Sequence, residues 1–476
     1  MKRIFKYIVL AFAVVSLASC GEVFFTQYPS NSISSGNAYQ SEEDFNQAIR
    51  GCYGRLKSQI SFHRTSLAYR SDECIQVAMA TSNQNQYDFD HFQENASCGI
   101  MSDIWNTWYS GIFRCNDVLN NMEGMDFGKK DQFEAEALFI RSWFYFNLYR
   151  SFGVVPLTDK VVSPEEALLV PRCTDEQMLN RLETDLLTAI EGLPLTRGAE
   201  VARVTRIAAQ ALLGKVYLTF GKYPEAESVL KDALKDPGYG LMPTTGDAFK
   251  VENKMNKEIV FAVYYNKTNN NGHGFWWDST SEAKDRTNPT QNLRDLYPSG
   301  DNRLALIRDW IPLEQSDAYS DPRYVLSKWY DNYDQIYIEQ VGNDFPHIRY
   351  ADIILMAAEA VGMQEGRMEE ALGFLNQTRQ RAGLGALSAG DISSHEDFIK
   401  ELADERGREF ALEGHRWYDL VRLGIAVEFF KRLTVEYKGQ LIKYDNITEK
   451  NLVFPIPNDQ IEIINNDKIL WQNPGY

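Results

Sequence analysis

The stretch from Arg203 to Pro237 reads RVTRIAAQALLGKVYLTFGKYPEAESVLKDALKDP, and it predicts two helices joined by a tight turn. Gly221 stands where a glycine commonly ends a helix, and Pro224 stands at the opening of the second helix, where its missing N–H costs nothing. Each helix has one apolar face at helical spacing. These faces comprise Val204, Ile207, Ala208, Ala211 and Leu212, and then Ala226, Val229, Leu230, Ala233 and Leu234.

This helical pair resembles a tetratricopeptide repeat, whose small residues let two helices approach closely. The matching positions are Leu213-Gly214, Tyr217, Ala226, Ala233 and Pro237. A second, diverged copy is predicted at Arg349 to Gly362 with Met368 to Ala382, and further helices are expected at about 397–432. A hairpin of this kind cannot bury its apolar face alone, so it needs helical neighbours. The sequence therefore predicts a mainly α fold built from tetratricopeptide-like helical hairpins.

Two other helical stretches are rich in aromatic residues. The segment from Phe133 to Tyr149 has a strongly helical pattern and contains many aromatic residues. The segment from Trp105 to Tyr109 has two tryptophans and a tyrosine and is predicted to lie on another helix. Such a face could suggest a cofactor site, but rings at helical spacing more often form the core. We therefore expect both segments to pack inside the scaffold.

The first residues of the chain predict export and lipid anchoring. Lys2, Arg3 and Lys6 precede an apolar run from Tyr7 to Ala18, which suits a signal peptide and is short for a transmembrane helix. The run ends in Leu17-Ala18-Ser19-Cys20, which resembles a bacterial lipobox. By that resemblance the chain is cut before the cysteine, which then carries acyl chains in the membrane. The alternative is an ordinary cleaved leader with a chance cysteine.

These patterns divide the chain into five parts. Residues 1–19 are predicted as the signal peptide, and residues 20–37, rich in Ser, Asn and Gly, as a polar tether that lifts the folded part off the bilayer. Residues 38–251 form the N-terminal helical part. Residues 252–345 form a loop-rich region with short strands, and residues 346–476 form the C-terminal hairpins and a closing tail.

The chain has 476 residues and a formal net charge of −17, which argues against nucleic acid and anionic lipid headgroups as partners, because both select clustered Lys and Arg. The cysteines after position 20 match no zinc-binding spacing, and their odd number cannot all pair. Buried free thiols, with room for one disulfide, are therefore expected. They are Cys52, Cys74, Cys98, Cys115 and Cys173.

Two regions have the composition of binding loops. Residues 59–98 are rich in Ser, Asn, Gln and aromatic residues without a helical period, and loops of that length are often functional. In the second region a strand-like run, Glu258 to Tyr265, precedes a turn-forming loop that presents Phe275-Trp276-Trp277-Asp278. Adjacent rings without an apolar period around them are difficult to bury together, although one of the two tryptophans could still plug the scaffold.

No motif predicts catalysis, a metal or a cofactor. The six histidines form no HExxH pattern, and the sequence contains no GxSxG and no phosphate-cradling glycine loop. A dense group of charged residues near the C-terminus resembles a catalytic cluster, but at these helical spacings we expect an ion-pair network between hairpins. Its members are Arg406, Arg408, Glu409, Glu413, His415, Arg416 and Asp419.

The whole predicted mature chain resembles the SusD/RagB family of nutrient-binding outer-membrane lipoproteins. The resemblance is carried in order by AEALFIRSWFYFNLYRSFGVVPL (135–157), the 206–226 hairpin, IRYADIILMAAEA (348–360), NQTRQRAG (376–383), ERGREFALEGHRWYDLVRLG (405–424), and FPIP (454–457) with the closing QNPGY. Each segment alone is weak, but six in the right order are specific.

The resemblance implies a non-enzymatic protein at the cell surface, anchored in the outer membrane through Cys20. Its helical hairpins would face a SusC-like TonB-dependent transporter, to which it would deliver oligosaccharide or polysaccharide ligand for import. The same architecture binding peptides or another nutrient is the alternative, and a lipid-anchored glycosidase is a third hypothesis, because any two acids could meet in a fold.

The ligand surface is expected on residues 59–98 and 252–345. Trp276 and Trp277 can cover the apolar faces of a pyranose ring, and Asp278 can fix its hydroxyls. The family also tends to place ligand contacts near Asp72 and Tyr87, which the resemblance adds to the predicted site.

Overall fold

The computed structural model shows a mainly helical fold with a few short strands, as predicted. It describes residues 39–58, 62, 67–75, 84–266, 289–309, 324–329, 342–437 and 440–476. Within these ranges, no helix combines the length and apolarity that crossing a membrane requires.

The N-terminal part is a series of antiparallel helices in which most helices pack on their neighbours in the chain. The helices are α1 (Glu42–Ser58), α2 (Gln84–Asp90), α3 (Gly99–Met122), α4 (Lys130–Phe152), α5 (Asp175–Gly192), α6 (Arg206–Thr219) and α7 (Tyr223–Ala233). Most of α4 is buried, and Trp105 and Trp108 of α3 are 4% and 0% exposed. The expectation that these aromatic helices form the core is confirmed.

The helical hairpin predicted from Arg203 to Pro237 is confirmed as α6 and α7. Gly221 has φ +69°, a left-handed conformation that favours glycine, and it lies between the two helices. A Cβ on Gly214 would lie 2.5 Å from Leu230 side-chain atoms, so the two helices are in contact at this position. Helix α6 begins at Arg206, because Thr205 is extended and precedes its first turn.

The C-terminal part contains α8 (Tyr350–Gly362), α9 (Met368–Arg381), α10 (His395–Glu409), α11 (Arg416–Arg422), α12 (Ala426–Arg432) and α13 (Asn458–Ile464). Helix α8 packs on both α7 and α9, so the two predicted hairpins form one continuous scaffold. The stretch expected to be helical at 397–432 is divided into three helices. The first break is explained by the backbone, since Leu412 and Gly414 both have positive φ.

Among the described residues, the strands form three two-stranded antiparallel sheets. Strand β1 (Ile259–Val263), inside the strand predicted from Glu258 to Tyr265, pairs with β4 (Phe345–Arg349). Strands β2 (Ile307–Asp309) and β3 (Tyr324–Leu326) pair, as do β5 (Thr434–Tyr437) and β6 (Gln440–Lys443). The short helices are Leu67–Tyr69, Pro164–Ala167 and Gln291–Asp295, and the 3₁₀ turns are Gly246–Phe249, Val251–Asn253, Asn302–Leu306, Ser327–Trp329, Ala389–Asp391 and Glu449–Leu452.

The expectation that residues 59–98 are loops without helix was wrong for part of this region. Residues Gln84–Asp90 form α2, and Leu67–Tyr69 form a single helical turn. Helix α2 has the sequence QNQYDFD, of which only Phe89 and Asp90 are buried. A helix of this length makes less than two full turns, so it displays too few apolar positions for a period to be visible.

The five cysteines after position 20 are all free and buried, which confirms the expectation of buried thiols. Cys52 lies on α1 and Cys115 on α3, two helices that pack together. Burial raises the pKa of Cys115 well above its usual range. At neutral pH this thiol is therefore protonated and unreactive.

Candidate ligand-binding surface

The two regions predicted to bind ligand meet at residues 72–74 and 289–290. The Thr290 hydroxyl donates a hydrogen bond of 2.7 Å to the main-chain oxygen of Asp72, and the Thr290 amide donates one of 3.0 Å to that of Glu73. Cys74 and Pro289 form an isolated antiparallel bridge. The structure therefore joins the chain that follows the Trp276–Asp278 segment to the middle of the 59–98 region.

Thr290 also begins the short helix Gln291–Asp295. Its hydroxyl accepts a 3.1 Å hydrogen bond from the Leu293 amide, as an N-terminal capping residue does. Thr290 thus caps the helix Gln291–Asp295 and also binds the main chain of residues 72 and 73. Thr290 is 5% exposed, so water competes little for these bonds.

Asp72 lies beside this junction, and its carboxylate is engaged in an ion pair. The side chain is 5% exposed, and its two oxygens accept hydrogen bonds of 2.8 and 3.1 Å from Arg416 at the start of α11. A two-pronged pair of this kind fixes both partners strongly. Within the structure Asp72 therefore ties the 67–75 segment to the scaffold, and a direct ligand contact by this residue stays a prediction.

Glu73 is buried next to Asp72. It accepts hydrogen bonds from the Leu412 amide at 3.1 Å and from Ser71 at 3.3 Å. Burial, and then the neighbouring Asp72 carboxylate, raise the pKa of Glu73 to about 8. At neutral pH the Glu73 carboxyl is therefore mostly protonated.

Tyr87 lies on α2 and is half-buried. Its ring stacks on the imidazole of His91, one helical turn further, with centroids 3.9 Å apart and planes 16° apart. The His91 ring is also tilted against the buried ring of Tyr444, with centroids 6.1 Å apart. Burial lowers the pKa of His91, so the imidazole under Tyr87 is neutral near pH 7. This arrangement presents Tyr87 as a flat, supported ring at the protein surface.

The position of α2 is fixed by a buried arginine. Arg70 pairs with both carboxylate oxygens of Glu94, at 2.8 and 2.7 Å, and donates a 2.6 Å hydrogen bond to the main-chain oxygen of Phe89. Its guanidinium also lies over the rings of Phe92 and Trp417, 4.2 and 4.9 Å from their centroids. Charge-assisted and cation–π contacts of Arg70 therefore hold the helix that carries Tyr87 in place.

Buried ion pairs fasten the described parts of the 252–345 region to the scaffold. Arg303 donates hydrogen bonds of 2.8 Å to Glu405 and 3.1 Å to Glu409 of α10. Lys328 pairs with Glu413 at 2.7 Å. Each of these five side chains is 2% exposed or less. Arg303 and Lys328 thus attach the 302–306 and 327–329 segments to α10 and to the residues that follow it.

The ion-pair network expected near the C-terminus is confirmed. Arg349, at the end of β4, pairs with Glu409 and Glu413, both at 2.8 Å. Arg406 pairs with Asp419 at 2.7 Å and with Asp352 of α8 at 2.9 Å. These pairs join β4, α8, α10 and α11, and the members of the cluster are buried.

Four of the predicted functional residues lie outside the described residues. They are Trp276, Trp277 and Asp278, predicted to contact ligand, and Cys20, predicted to carry lipid. Of the predicted site, the structure describes Asp72 and Tyr87. Tyr87 stacks on His91, whose ring lies against Tyr444. Burial, followed by the Asp90 and Asp72 carboxylates, raises the pKa of Tyr444 well above its usual range. In the described ranges no group of three or more His, Cys, Asp or Glu side chains is placed to hold a metal ion.

Sequence reasoning missed several residues that build this surface. Thr290 stands in the sequence NPTQNL, whose Pro-Thr pair is a recognisable helix-start signal. His91 follows Tyr87 by four positions, a spacing that has meaning only once α2 is recognised as helical. Arg303 and Lys328 carry no local signal, because their partners lie far along the chain.

Comparison with known proteins links the chain to one family. Residues 298–476 match the family model of the SusD family, and residues 28–218 match the model described as starch-binding associating with outer membrane. The chain is similar to SusD-like protein P2 of Formosa agariphila, with 24% identity over 97% of this chain and 98% of the relative. Starch-binding protein SusD of Bacteroides thetaiotaomicron is 33% identical over 133 residues, which are 28% of this chain and 22% of that protein.

A solved structure agrees with these matches. A laminarin binding SusD-like protein superposes with a TM-score of 0.74, covering 92% of this chain and 100% of that one at 26% sequence identity. The superposition covers most of this chain and all of the other. It therefore concerns the whole architecture and not a shared helical repeat alone.

Proposed function

The chain belongs to the SusD/RagB family, and we propose that it is a cell-surface lipoprotein that binds oligosaccharide or polysaccharide and delivers it to a SusC-like TonB-dependent transporter. It makes no covalent change to the ligand. A few aromatic rings hold one segment of the glycan near the transporter, and the transporter supplies the energy for import. The anchor is the acylated Cys20 in the outer membrane, with the binding surface facing the cell exterior.

The observation that carries this proposal is the supported ring of Tyr87 on α2, in the same 59–98 region that the junction joins to residues 289–290. A sugar presents flat apolar faces and a rim of hydroxyls, so a protein that binds it needs exposed rings on a rigid base. Tyr87 is backed by His91, and α2 is held by Arg70. A catalytic site would instead need titratable groups that converge in an open cleft, whereas the dense charge cluster of this chain is buried.

In the proposed site Trp276 and Trp277 supply further rings and Asp278 accepts hydrogen bonds from sugar hydroxyls. Support comes from the junction, because Thr290 fixes the chain that follows this segment against Asp72 and Glu73. Asp72 belongs to the proposed site, and its pair with Arg416 holds this part of the chain on α11. The similarity to a laminarin binding protein also favours a glycan over a peptide.

Binding of peptides or another nutrient by the same architecture is the alternative function. A binding screen distinguishes glycan binding from peptide binding. The soluble chain from residue 21 onward is passed over immobilised plant, host and microbial polysaccharides and over a peptide digest. The released material is then analysed for cleavage. Retention by a glycan that is recovered intact supports the proposal. Retention by peptides alone favours the alternative, and cleaved glycan would instead indicate a glycosidase.

A second experiment tests delivery separately. The lipidated chain is purified from outer membranes in mild detergent, and the proteins that accompany it are identified. We expect a TonB-dependent transporter in stoichiometric amount, and we expect it to be lost when Cys20→Ala releases the chain from the membrane. A chain that binds glycan but purifies without any transporter would contradict the delivery role while leaving glycan binding intact.

A further inference from the structure

Two of the buried cysteines lie against each other where α1 packs on α3. A hydrogen bond links the thiols of Cys52 and Cys115, and both residues are 0% exposed. The residues just before them are also close together, since a Cβ on Gly51 would lie 3.6 Å from Nη1 of Arg114. The side chains and the neighbouring backbone therefore bring these two sulfur atoms to one point of the helix contact.

The other cysteines after position 20 lie elsewhere in the fold. Cys98 precedes α3, and this helix rises about 25 Å between Cys98 and Cys115, whereas the Cα atoms of a disulfide lie within about 7 Å of each other. Cys74 lies in the bridge to Pro289, close to acidic side chains. Cys173 lies just before α5. Cys52 and Cys115 are therefore the pair that the described geometry favours for a disulfide.

We propose that Cys52 and Cys115 form a disulfide in the exported chain. Hydrogen-bonded thiols on two packed helices need only rotate about their Cα–Cβ bonds to bring the sulfur atoms to an S–S distance of about 2.05 Å. The inference rests on the export that the proposed function requires, because disulfides form and persist in oxidising compartments outside the cytoplasm.

The oxidant is the disulfide of a thiol–disulfide oxidoreductase in the cell envelope. One of the two cysteine thiolates attacks that disulfide and forms a mixed disulfide with the oxidoreductase. The second thiolate then attacks the sulfur of the first cysteine, so the new S–S bond forms as the mixed disulfide breaks. Two electrons and two protons pass in total to the oxidoreductase, which leaves as a dithiol.

Burial determines when this exchange takes place. Burial raises the pKa of Cys115 well above its usual range, so in the folded chain its thiol is protonated and shielded from other proteins. Exchange therefore precedes the packing of α1 on α3, while both thiols are accessible and have ordinary pKa values. Once the helices have packed, the same burial shields the S–S bond from reductants.

The bond has a direct consequence for the proposed ligand surface. Cys52 and Cys115 are 63 positions apart and lie on either side of the 59–98 region, which contains Asp72 and Tyr87. A disulfide between them joins the two ends of this region, and closing so long a loop restricts the unfolded chain and stabilises the fold. It also connects the N-terminal segment, with its predicted lipid anchor, to the scaffold by a second covalent route.

Thiol mapping tests the pairing in the lipidated chain. The chain is isolated from outer membranes and denatured with N-ethylmaleimide present throughout, and it is then digested without reduction. We expect the peptides that contain Cys52 and Cys115 to be joined to each other, and those that contain Cys74, Cys98 and Cys173 to carry maleimide. A chain displayed at the cell surface with maleimide on both Cys52 and Cys115 would overturn the disulfide and leave the surface role intact.

Thermal unfolding measures the effect of the bond on stability. The oxidised parent should unfold at least about 3 °C above the same chain kept in a reducing agent. Cys52→Ala/Cys115→Ala should show no difference between the two conditions, whereas the control Cys173→Ala should show the same difference as the parent. Each variant is compared with itself, so a general loss of stability caused by alanine does not affect the result. Equal unfolding temperatures of the oxidised and reduced parent would contradict the cross-link.

Refolding separates the disulfide from the question of export. The mature chain from residue 21 onward is reduced, denatured and refolded in a glutathione redox buffer, and its thiols are mapped in the same way. We expect Cys52 to pair with Cys115. A chain that refolds with both thiols free would overturn the inference wherever the protein is located. A chain that does not reach the outer membrane in cells would instead contradict the proposed function, and the refolding result then decides the pairing alone.

Discussion

The Thr290 hydroxyl and the main-chain oxygen of Asp72 lie 2.7 Å apart, although 218 positions separate these residues in the chain. This hydrogen bond joins the two regions proposed to bind ligand. Asp72 in turn pairs with Arg416, so the junction is tied to the helical scaffold. The two regions proposed to bind ligand are therefore joined to each other and to the scaffold at residues 72 and 290.

Asp72→Asn tests whether Asp72 acts mainly through its ion pair. The change removes the charge that compensates the buried Arg416 guanidinium, so we expect the free energy of unfolding to fall by about 3 kcal/mol. The matched control is Glu225→Gln, the same acid-to-amide change in an exposed pair with Lys222, where the loss should be much smaller. Urea unfolding measures both. An Asp72→Asn chain of unchanged stability that has lost glycan binding would instead make Asp72 a direct ligand contact.

Tyr87→Ala removes the proposed sugar platform, and Tyr87→Phe retains it. We expect the alanine variant to bind glycan about tenfold more weakly, a loss of about 1.4 kcal/mol, and the phenylalanine variant to bind nearly as well as the parent. Calorimetric titration with the glycan found in the screen measures both affinities. Equal affinity of the alanine variant and the parent would remove Tyr87 from the site.

A pair of glycine substitutions tests the packing of the central hairpin. Gly214→Ala places a Cβ 2.5 Å from Leu230 side-chain atoms, and we expect it to destabilise the protein by about 1–3 kcal/mol. Gly373→Ala on α9 meets no atom within 4 Å and should be neutral or stabilising by up to about 1 kcal/mol, because alanine favours helix. Urea unfolding should therefore show a loss of stability for Gly214→Ala and none for Gly373→Ala, and unchanged or increased stability of the Gly214→Ala variant would contradict the close approach of α6 and α7.

The raised pKa of Glu73 predicts that the stability of the protein depends on pH. Its pKa is raised from 4.5 to about 8 by folding, so between these values the folded state holds a proton that the unfolded state releases. Stability is therefore lost as the pH rises through this interval, by up to about 1.4 kcal/mol per pH unit. Glu73→Gln mimics the protonated form and removes this contribution. We expect the variant to be more stable than the parent at pH 8 and similar at pH 4, and identical pH profiles would show that Glu73 is ionised in the fold.

The scaffold could be predicted because its signals are local. The apolar spacing from Arg206 to Ala233, together with Gly221 and Pro224, specifies two helices and their turn within one short stretch. The buried aromatic helix α4 follows from the same reasoning. The break between α10 and α11 was not foreseen, since it depends on the positive φ of Leu412, a conformation that leucine rarely adopts.

The site was less predictable because its contacts connect distant parts of the chain. Tyr87 was selected through the family resemblance, but its support by His91 depends on α2, which is too short to display a period. Arg303 and Lys328 pair with carboxylates on α10 and just after it. Sequence spacing does not predict pairs between residues so far apart in the chain. A predicted loop region can thus be located from composition, while the residues that hold it in place require the structure.

The central claim is that this chain binds glycan through rings on its loop surface, and the affinity of a Trp276→Ala/Trp277→Ala variant tests it most directly. The control is Trp471→Ala, which removes a partly exposed tryptophan near the C-terminus. Calorimetric titration with the retained glycan should show at least a tenfold loss of affinity for the double variant and no loss for the control. The double variant should unfold at the same midpoint as the parent. A folded double variant that binds as tightly as the parent would contradict the claim.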